Sequence, residues 1–523
     1  SPPNHRAPAG APETSATLNT PRIKDNIPPA SGAPPARDDL GEPPIPGVPP
    51  YGFHPRLPSL RPYRDSGAAA QTVGAPETIA GEKEARIAQT PFFTILRPTP
   101  MSDHDTTDRR KFLQFGIGGM AIASTSHVVL ARDGIRVATE PEELITDLTT
   151  EVDVVVVGGG TAGTIAAIQA GRAGAKTLLL ERSGQLGGMT TVGGVNYPGL
   201  FDAWGKQIIA GIGWELVRES VELDGGTLPN FAKVPARHYQ NQVTINQFVY
   251  SILAEEKCVD AGVEIAYHEF IQGAKATPAG WELTCAGFGT NRRVRCKQIV
   301  DCTGGAEVVG LLGHERMRED ETQPGSYLFQ LGGNYEGGRK LLHQIYVHGA
   351  DSTNSRTVTE AKLAGRKLVL KKLRDAEGKK RLMHLQPEPG FRESYRIVGE
   401  TMITVNDYTS GRKFDDAVCN AFYPVDLHTK TGVRPKPLKP GTVPTIPLSA
   451  LIPKGSRNIS VAGRSLSSDR LANSGLRVQA PCMAMGQAAA CAAALAAKGN
   501  TTPGAVPRDR LHALLNEHGA IMP

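Results

Sequence analysis

The 523-residue chain is poor in aromatic residues and carries little net charge of either sign. Aromatic residues make up 6% of it, and the formal net charge is +6. Without basic patches interleaved with aromatics, a nucleic-acid partner is disfavoured. One basic stretch, residues 356–381, has apolar residues at helical spacing: Ala361, Ala364, Leu368 and Leu373. We interpret it as an amphipathic surface helix; the alternative is a surface for an anionic substrate or partner.

The seven cysteines form no recognisable motif. All lie between Cys258 and Cys491, none forms C-x-x-C, and none pairs with His at metal spacing. An iron–sulfur framework, a redox disulfide and a metal site are therefore disfavoured. Cys302, Cys482 and Cys491 sit among small apolar residues, and we expect them to pack in the core. The absence of G-x-S-x-G disfavours a serine hydrolase. The absence of a second G-x-G-x-x-G with strand and acid disfavours an NAD(P)H-fed disulfide reductase.

Residues 1–100 lack cysteine and apolar periodicity and hold 21 of the 40 prolines. We predict a disordered segment, because such a composition cannot offset the entropy lost on ordering. Two origins remain open, since the chain begins with Ser1 and Met101 is followed by what resembles a normal protein start. The segment is either upstream sequence that is read through or a genuine Pro-rich tail or linker.

Residues 101–131 resemble a twin-arginine export signal. Arg109 and Arg110 precede Phe-Leu and a weakly apolar stretch at 115–131. That stretch is too short and too rich in glycine for a stable membrane span. We expect a periplasmic or secreted protein if translation starts at Met101, and a cytoplasmic one otherwise. The alternative is a cytosolic N-terminal helix with a chance Arg-Arg pair.

The most informative stretch predicts a strand, a glycine turn, a helix and a second strand. These correspond to residues 152–157, the G-x-G-x-x-G of Gly158, Gly160 and Gly163, residues 164–172, and residues 177–180 followed by Glu181. In a dinucleotide site such glycines allow a tight turn, close approach of backbone to a pyrophosphate, and packing of helix on strand. The helix N-terminus attracts the phosphates. An acid at the position of Glu181 accepts hydrogen bonds from a ribose.

The later sequence extends this α/β pattern. We predict a glycine-rich loop along a flat ligand at 182–194, a helix at 246–261, strands at 263–267, 280–285 and 292–300, a short strand at 458–464, a polar loop at 465–477 and an Ala-rich helix at 480–497. The strand that ends in Asp-x-Thr-Gly would bring Thr303 and Gly304 against the nucleotide.

Four segments carry a family resemblance: VVVVGGGTAG, ERSGQLGGMTT, VDCTGG and VAGRSLSSDRLANSGLRVQAPCMAMGQAAACAAALA. In this order they resemble the FAD-dependent oxidoreductases that group with heterodisulfide-reductase flavin subunits, without the iron–sulfur motifs. The resemblance implies non-covalent FAD in a glutathione-reductase-type Rossmann domain with an inserted α+β substrate cap. We assign the FAD-binding domain to 150–305 and 441–500, the cap to 306–440, and a C-terminal extension to 501–523.

The resemblance also implies a set of cofactor-binding residues. Besides the motif glycines and Glu181, they are Thr161, Ala162, Arg182, Gly187, Gly188, Met189, Thr190, Thr303, Gly304, Gly463, Arg464 and Gln487. Among them, Gly187 to Thr190 would run near the flavin ring, and Gly463, Arg464 and Gln487 would close the ribityl and flavin end.

Three residues of the cap are candidates for catalysis. A flavin dehydrogenase needs a base to take a proton and often a cation to hold an anionic group. We predict His428 as the base and Asp426 as its orienter, two residues apart and on one face if extended. Arg396 is the predicted cation, and it would share a face with Arg392 if this stretch is helical. Structural ion pairs are the alternative for each, and Arg470 and Arg477 are further anion-binding candidates.

The sequence thus predicts an FAD-dependent oxidoreductase of a small organic substrate, working by hydride transfer to or from flavin N5. The electron acceptor would be a quinone, a cytochrome or oxygen. The alternatives are a fumarate/succinate-like flavoprotein reductase, which needs a cap arginine cluster, and a flavin-binding electron-transfer subunit without its own turnover. A protein that binds only NAD is less favoured, because residues 187–191 and 480–497 would then go unexplained.

Overall fold

The computed structural model describes residues 145–235, 238–332, 341–433 and 435–523. The predicted disordered segment 1–100 and the export-signal-like segment 101–131 lie outside the described residues.

The described chain contains both helices and strands, with several runs of consecutive strands. The helices are α1 (Thr161–Arg172), α2 (Ile212–Leu223), α3 (Gln247–Asp260), α4 (Glu307–Leu311), α5 (Ser355–Asp375), α6 (Val405–Ser410), α7 (Arg470–Leu476), α8 (Gln479–Gly499) and α9 (Arg508–Glu517). The strands are β1 (Thr146–Val157), β2 (Thr177–Glu181), β3 (Asp202–Ala203), β4 (Lys206–Gln207), β5 (Val263–Tyr267), β6 (Phe270–Thr277), β7 (Gly280–Gly287), β8 (Thr290–Asp301), β9 (Arg316–Met317), β10 (Gly325–Gly332), β11 (Leu341–Val347), β12 (Arg381–Leu385), β13 (Arg396–Ile397), β14 (Ala417–Asn420), β15 (His428–Thr429), β16 (Gly432–Val433), β17 (Thr445–Pro447) and β18 (Ile459–Val461).

The main sheet is mixed, which confirms the predicted α/β class. Its order is β5-β2-β1-β8-β7-β6, and β18 pairs with the end of β8. Strands β5, β2, β1, β8 and β18 run parallel, while β6, β7 and β8 form an antiparallel meander. The carboxyl ends of the parallel strands therefore meet at one edge, where an open α/β sheet binds its ligands.

The sheet is covered on both faces because side chains alternate along its strands. Val154 and Val156 of β1 pack with α1, α2, α3 and α8. Val155 and Val157 belong to a second cluster on the other face, with α4 and the meander. A strand that is buried on both sides needs a continuous β-branched run, and the Val-rich sequence here supplies it.

The cysteines lie in this core. All seven are buried, which confirms the core packing predicted for Cys302, Cys482 and Cys491.

Helices α1 and α8 cross at very short range. A Cβ at Gly486 of α8 would lie 2.2 Å from the carbonyl oxygen of Ala162 in α1. Only glycine permits this contact, and it fixes α8 against the turn that precedes α1. By length and composition α8 would suffice to cross a membrane, but 89% of its apolar window is buried inside the fold. It is the central helix of the core.

A second, antiparallel sheet occupies part of the segment assigned to the cap. It has the order β11-β10-β12, and α5 packs on it through Ala361 and Val369 against Tyr327 and Val347. This confirms the helix predicted within the basic stretch.

One local prediction was wrong, and one condition set by the sequence is not met. The predicted polar loop at 465–477 contains α7, whose N-terminus is capped by the Asp469 carboxylate, which accepts a hydrogen bond from Ala472 N. The stretch around Arg392 and Arg396 is not helical, because Arg396 and Ile397 form β13 paired with β9. The shared helix face considered for Arg392 and Arg396 therefore does not exist.

The crossing of α1 and α8 gives the first prediction. Gly486→Ala should destabilise the protein by about 1–3 kcal/mol, because the new methyl group overpacks against Ala162. Gly499→Ala on the same helix is the matched control, since its Cβ would make only an ordinary contact at 3.6 Å. It should be neutral or stabilise by up to about 1 kcal/mol. Equal unfolding midpoints in urea for the two variants would contradict the close crossing.

Candidate functional site

The turn between β1 and α1 is built by backbone contacts that exclude side chains. A Cβ at Gly163 would lie 1.7 Å from the carbonyl oxygen of Gly158, and one at Gly158 would lie 2.6 Å from that of Cys302. Gly158 also has φ +97°, in the region that favours glycine. The first and third motif glycines thus hold the turn against β8, as predicted from their spacing.

The middle glycine faces open space. Within the described part of the chain, a Cβ at Gly160 would meet only the Cα of Gly188, at 4.0 Å. No side chain in that part caps the N-terminus of α1, so its first-turn N–H groups remain available to a ligand. A concave backbone surface at a helix N-terminus suits an anion such as a pyrophosphate.

Glu181 lies at the end of β2 beside this turn. Its carboxylate accepts hydrogen bonds from Gly159 N at 2.7 Å and from the backbone N and hydroxyl of Ser183, each at 2.7 Å. The carboxylate therefore braces the turn, and the ribose contact remains a prediction. Neighbouring Arg182 is exposed and lies 3.7 Å from Glu307.

The glycine-rich loop lies directly over the turn. Gly187 pairs with Gly160 in a parallel bridge. The hydroxyl of Thr161 lies 3.2 Å from Gly187 O and 3.0 Å from the hydroxyl of Thr190, which donates to Gln479 Oε1 at 2.9 Å. Gln479, the first residue of α8, was missed by the sequence analysis. The only sequence feature that could have indicated Gln479 is its place as a polar residue at the start of an Ala-rich helix.

The end of β8 and the end of β18 complete the surface. Arg464 donates through Nε to Gly304 O at 2.6 Å, and a Cβ at Gly463 would lie 3.4 Å from that of Ala162. The backbone N and hydroxyl of Thr303 both donate to Asp301. Burial lowers the pKa of Arg464 to about 10, so it stays cationic at neutral pH. We call residues 158–163, 187–191, 303–304 and 463–464 the cradle.

Gln487 lies apart from the cradle. Its Oε1 accepts from Ile212 N at 3.1 Å, and its Nε2 donates to His518 O at 3.1 Å. The neighbouring Gly486 faces α1, and one residue further along a helix the side chain points about 100° away. The structure thus places Gln487 at the contact of α8 with α2 and the C-terminal segment, not at the predicted flavin end.

The predicted base and its orienter are hydrogen-bonded. Nε2 of His428 lies 3.0 Å from Oδ2 of Asp426, and the structure adds Tyr346, whose hydroxyl lies 3.0 Å from Nδ1. With Asp426 ionised, Nε2 carries the proton and Nδ1 accepts from the tyrosine hydroxyl. We call these three residues the relay. Sequence reasoning missed Tyr346 because it lies 82 positions from His428.

Two arginines flank the relay. Nη2 of Arg477 lies 3.2 Å from the carbonyl oxygen of Asp426 and 3.9 Å from its Oδ2. Arg392 donates to Pro324 O at 2.6 Å, and its guanidinium lies 5.2 Å from the centroid of the Tyr346 ring. We call Arg392 and Arg477 the arginine pair.

The predicted cation Arg396 lies elsewhere. It forms an ion pair with Glu319 at 2.7 Å and donates to Ser468 O at 3.0 Å. Arg470, a further anion-binding candidate, is paired with Glu393 at 2.6 Å. Both guanidiniums thus have close carboxylate partners. Arg477 shares the Asp426 carboxylate with His428 at a longer distance, and Arg392 forms no ion pair with a described carboxylate.

Burial and charge set the protonation of the relay. Burial tends to raise the pKa of Asp426, but His428 and the charges of Arg477 and Arg392 outweigh it, so this pKa lies below its ordinary value. Burial lowers the pKa of His428, although Asp426 opposes the shift. At neutral pH the relay therefore holds an aspartate anion and a neutral imidazole.

The segment 386–392 connects the cradle to the relay. Glu388 N donates to Val192 O at 3.3 Å, and Nη1 of Arg464 donates to Phe391 O. Arg392 follows directly and reaches the relay. The two parts of the site are therefore adjacent.

A cavity lies beside His428 of the relay. Its volume is about 390 Å³. The lining is mainly polar and includes His428, Thr429, His348, Arg318, Asp351 and Arg470. Among the described residues, no group of three or more His, Cys, Asp or Glu side chains could hold a metal ion.

A family model described as FAD dependent oxidoreductase matches residues 153–369 and 351–515. The match contains the cradle, the relay and the arginine pair. No curated protein matches the chain.

Solved structures show fold-level similarity. A geranylgeranyl bacteriochlorophyll reductase-like protein from Thermoplasma acidophilum is 11% identical, with 71% of this chain and 82% of that one covered and a TM-score of 0.36. OxyS anhydrotetracycline hydroxylase from Streptomyces rimosus is 14% identical. The match covers 71% of this chain and 66% of that one, with a TM-score of 0.39. A flavoprotein/dehydrogenase from Cytophaga hutchinsonii is 14% identical. The match covers 67% of this chain and 80% of that one, with a TM-score of 0.36. Identities and TM-scores this low say nothing about the activity of this chain.

The open face at Gly160 gives the second prediction. Gly160→Ala should leave the unfolding midpoint of the apoprotein unchanged, because its Cβ has room, but should weaken FAD binding at least about tenfold by blocking the backbone surface. Gly163→Ala should instead destabilise the fold itself. Fluorescence titration with FAD and thermal unfolding separate the two effects. Unchanged FAD affinity in Gly160→Ala would contradict the placement of the pyrophosphate.

Proposed function

Because the chain belongs to the family of FAD-dependent oxidoreductases, we propose that it is a dehydrogenase or reductase of a small organic substrate, with hydride transfer to or from flavin N5. The observation that carries this proposal is the relay beside the cradle, since a hydride transfer that also moves a proton needs a positioned acid or base.

The residues of the cradle fit FAD in a glutathione-reductase-type arrangement. The open backbone at Gly160 and the N-terminus of α1 would hold the pyrophosphate. The adenosine would lie near Glu181, and the flavin would lie along the loop from Gly187 to Thr190. When bound, FAD supplies the hydride acceptor or donor. Residues 150–305 and 441–500 would form the cofactor domain and 306–440 the cap, with 501–523 as an extension.

The proton would enter or leave the relay at the hydroxyl of Tyr346. Both ring nitrogens of His428 are engaged, Nε2 by Asp426 and Nδ1 by Tyr346. The imidazole therefore reaches a substrate proton through the tyrosine hydroxyl. Asp426 orients the ring and stabilises the imidazolium that forms when Tyr346 passes its proton to Nδ1.

The fumarate/succinate-like alternative needs a cap arginine cluster that reaches the flavin, with Arg392 and Arg396 as its predicted source. The ion pair of Arg396 with Glu319 disfavours Arg396 in that role. The electron-transfer alternative predicts tight FAD binding without reduction by any metabolite.

We also propose export to the periplasm through the twin-arginine-like segment, with a quinone, a cytochrome or oxygen as the electron acceptor. The support is the motif at Arg109 and Arg110, since NAD(P)H is scarce outside the cytoplasm. Efficient NADH oxidation by the purified protein would contradict this acceptor class.

The relay gives a kinetic prediction. Protein produced from Met101 should show flavin absorption, released on heating, and a metabolite panel should contain a substrate that bleaches it. Tyr346→Phe and His428→Gln should each slow flavin reduction by about 10²–10⁴-fold. The acid limb of the wild-type pH profile should lie below pH 6.5, because the pKa of His428 is lowered by burial.

Stopped-flow absorbance of the bound flavin measures these rates. Tyr250→Phe is the matched control, since its buried hydroxyl has no hydrogen-bond partner among the described residues. A colourless protein that fails to take up FAD would refute the cofactor assignment. Bound FAD that no substrate reduces would favour the electron-transfer alternative.

A further inference from the structure

We propose that the substrate carries a single carboxylate, which binds between Arg392 and Arg477 beside Tyr346. This inference rests on the proposed function, in which the relay acts on a small organic substrate. It specifies the class of that substrate and the residues that select it.

Arg477 has an unused buried donor. Its Nη2 atom contacts Asp426 and lies 3.4 Å from Gln323 Oε1. Its Nε is buried and has no hydrogen-bond partner in the described part of the chain. Buried N–H groups are almost always hydrogen-bonded in folded proteins, and a charged one all the more so. A ligand atom is the natural partner.

Arg392, unlike Arg477, lacks a carboxylate partner. Its hydrogen bond goes to the neutral carbonyl of Pro324, and its guanidinium lies near the Tyr346 ring. In the part of the chain that the structure describes, no Asp or Glu oxygen lies within ion-pair distance of it. A half-buried guanidinium without a counter-ion is costly, and the nearby charge of Arg477 adds repulsion.

The side chains around Tyr346 carry one excess positive charge. The single carboxylate of Asp426 feels the charges of two guanidiniums, Arg477 at 3.9 Å and Arg392 at longer range. His428 is neutral at pH 7 because burial lowers its pKa. A monoanion balances this excess, whereas a phosphate ester with a charge near −2 exceeds it. A planar carboxylate also matches the hydrogen-bonding geometry of a guanidinium.

A carboxylate held there would orient the substrate for the relay. The Tyr346 ring lies beside Arg392, and its hydroxyl is the end of the relay. Binding of the carboxylate would therefore bring the rest of a small acid next to the hydroxyl that exchanges the proton. Fixing a substrate in this way contributes to the rate as well as to affinity.

The test uses the holoprotein and three probes: propionate, neutral propionamide and inorganic phosphate. Calorimetry should show propionate binding at least about tenfold tighter than propionamide and tighter than phosphate. Arg477→Gln and Arg392→Gln should each weaken propionate at least about tenfold. Arg477→Lys, which keeps the charge but loses Nε, should fall between wild type and Arg477→Gln. Arg412→Gln, at an exposed ion pair with Asp407, should bind propionate as wild type does.

Flavin absorbance and thermal unfolding of the same samples separate the possible failures. Arg-dependent propionate binding by a protein without FAD would support the carboxylate site while refuting the proposed function. Normal flavin content with no preference for propionate over propionamide, or with tighter phosphate binding, would overturn the carboxylate site alone. A shifted flavin potential in Arg477→Lys with unchanged propionate affinity would also overturn it, because the arginine pair would then serve the cofactor.

Discussion

The close approach of backbone to backbone around the β1–α1 turn is the constraint on which the rest of the structure depends. The third motif glycine touches the carbonyl oxygen of Gly158, and Gly486 of α8 touches that of Ala162. These contacts tie β1, β8, α1 and α8 together without intervening side chains. Since interiors are densely packed, a displacement at this point would propagate through both helices. The segments of the cradle are held in fixed relative positions because all of them pack against this one region.

The same contacts also position the proton chemistry. Helix α8 begins at Gln479, which accepts a hydrogen bond from Thr190 of the glycine-rich loop. Arg477 lies two residues before Gln479. The position of α8 therefore also sets the distance of Arg477 from the glycine-rich loop. Asn473 of α7 donates to the carbonyl oxygen of Arg464, which ties α7 to the cradle. The relay therefore lies against elements whose position follows from the cofactor-binding turn.

How much the sequence could predict depends on how local the signal is. The strand–glycine–helix–strand–acid unit around Gly158 has short-range spacing, and the structure reproduces it. The pairing of Asp426 with His428 was likewise predictable, since the two residues are two apart in an extended segment. Tyr346, Gln479 and the contact partners of Arg396 come from distant parts of the chain, and no periodicity encodes such meetings. Gln487 was misplaced because a motif specifies a helix position but not which face meets the cofactor.

This difference in signal has a physical consequence for function. The cofactor surface consists of backbone held by glycines, so its sequence pattern is narrow and identifies the family. The substrate side consists of single side chains from β11, β15, α7 and the loop that carries Arg392, each replaceable without disturbing the turn. Membership of the family can therefore identify FAD while saying nothing of the substrate. The proposed selection of the substrate depends on the balance of charge among Asp426, His428, Arg392 and Arg477, and that balance becomes visible only when the chain is folded.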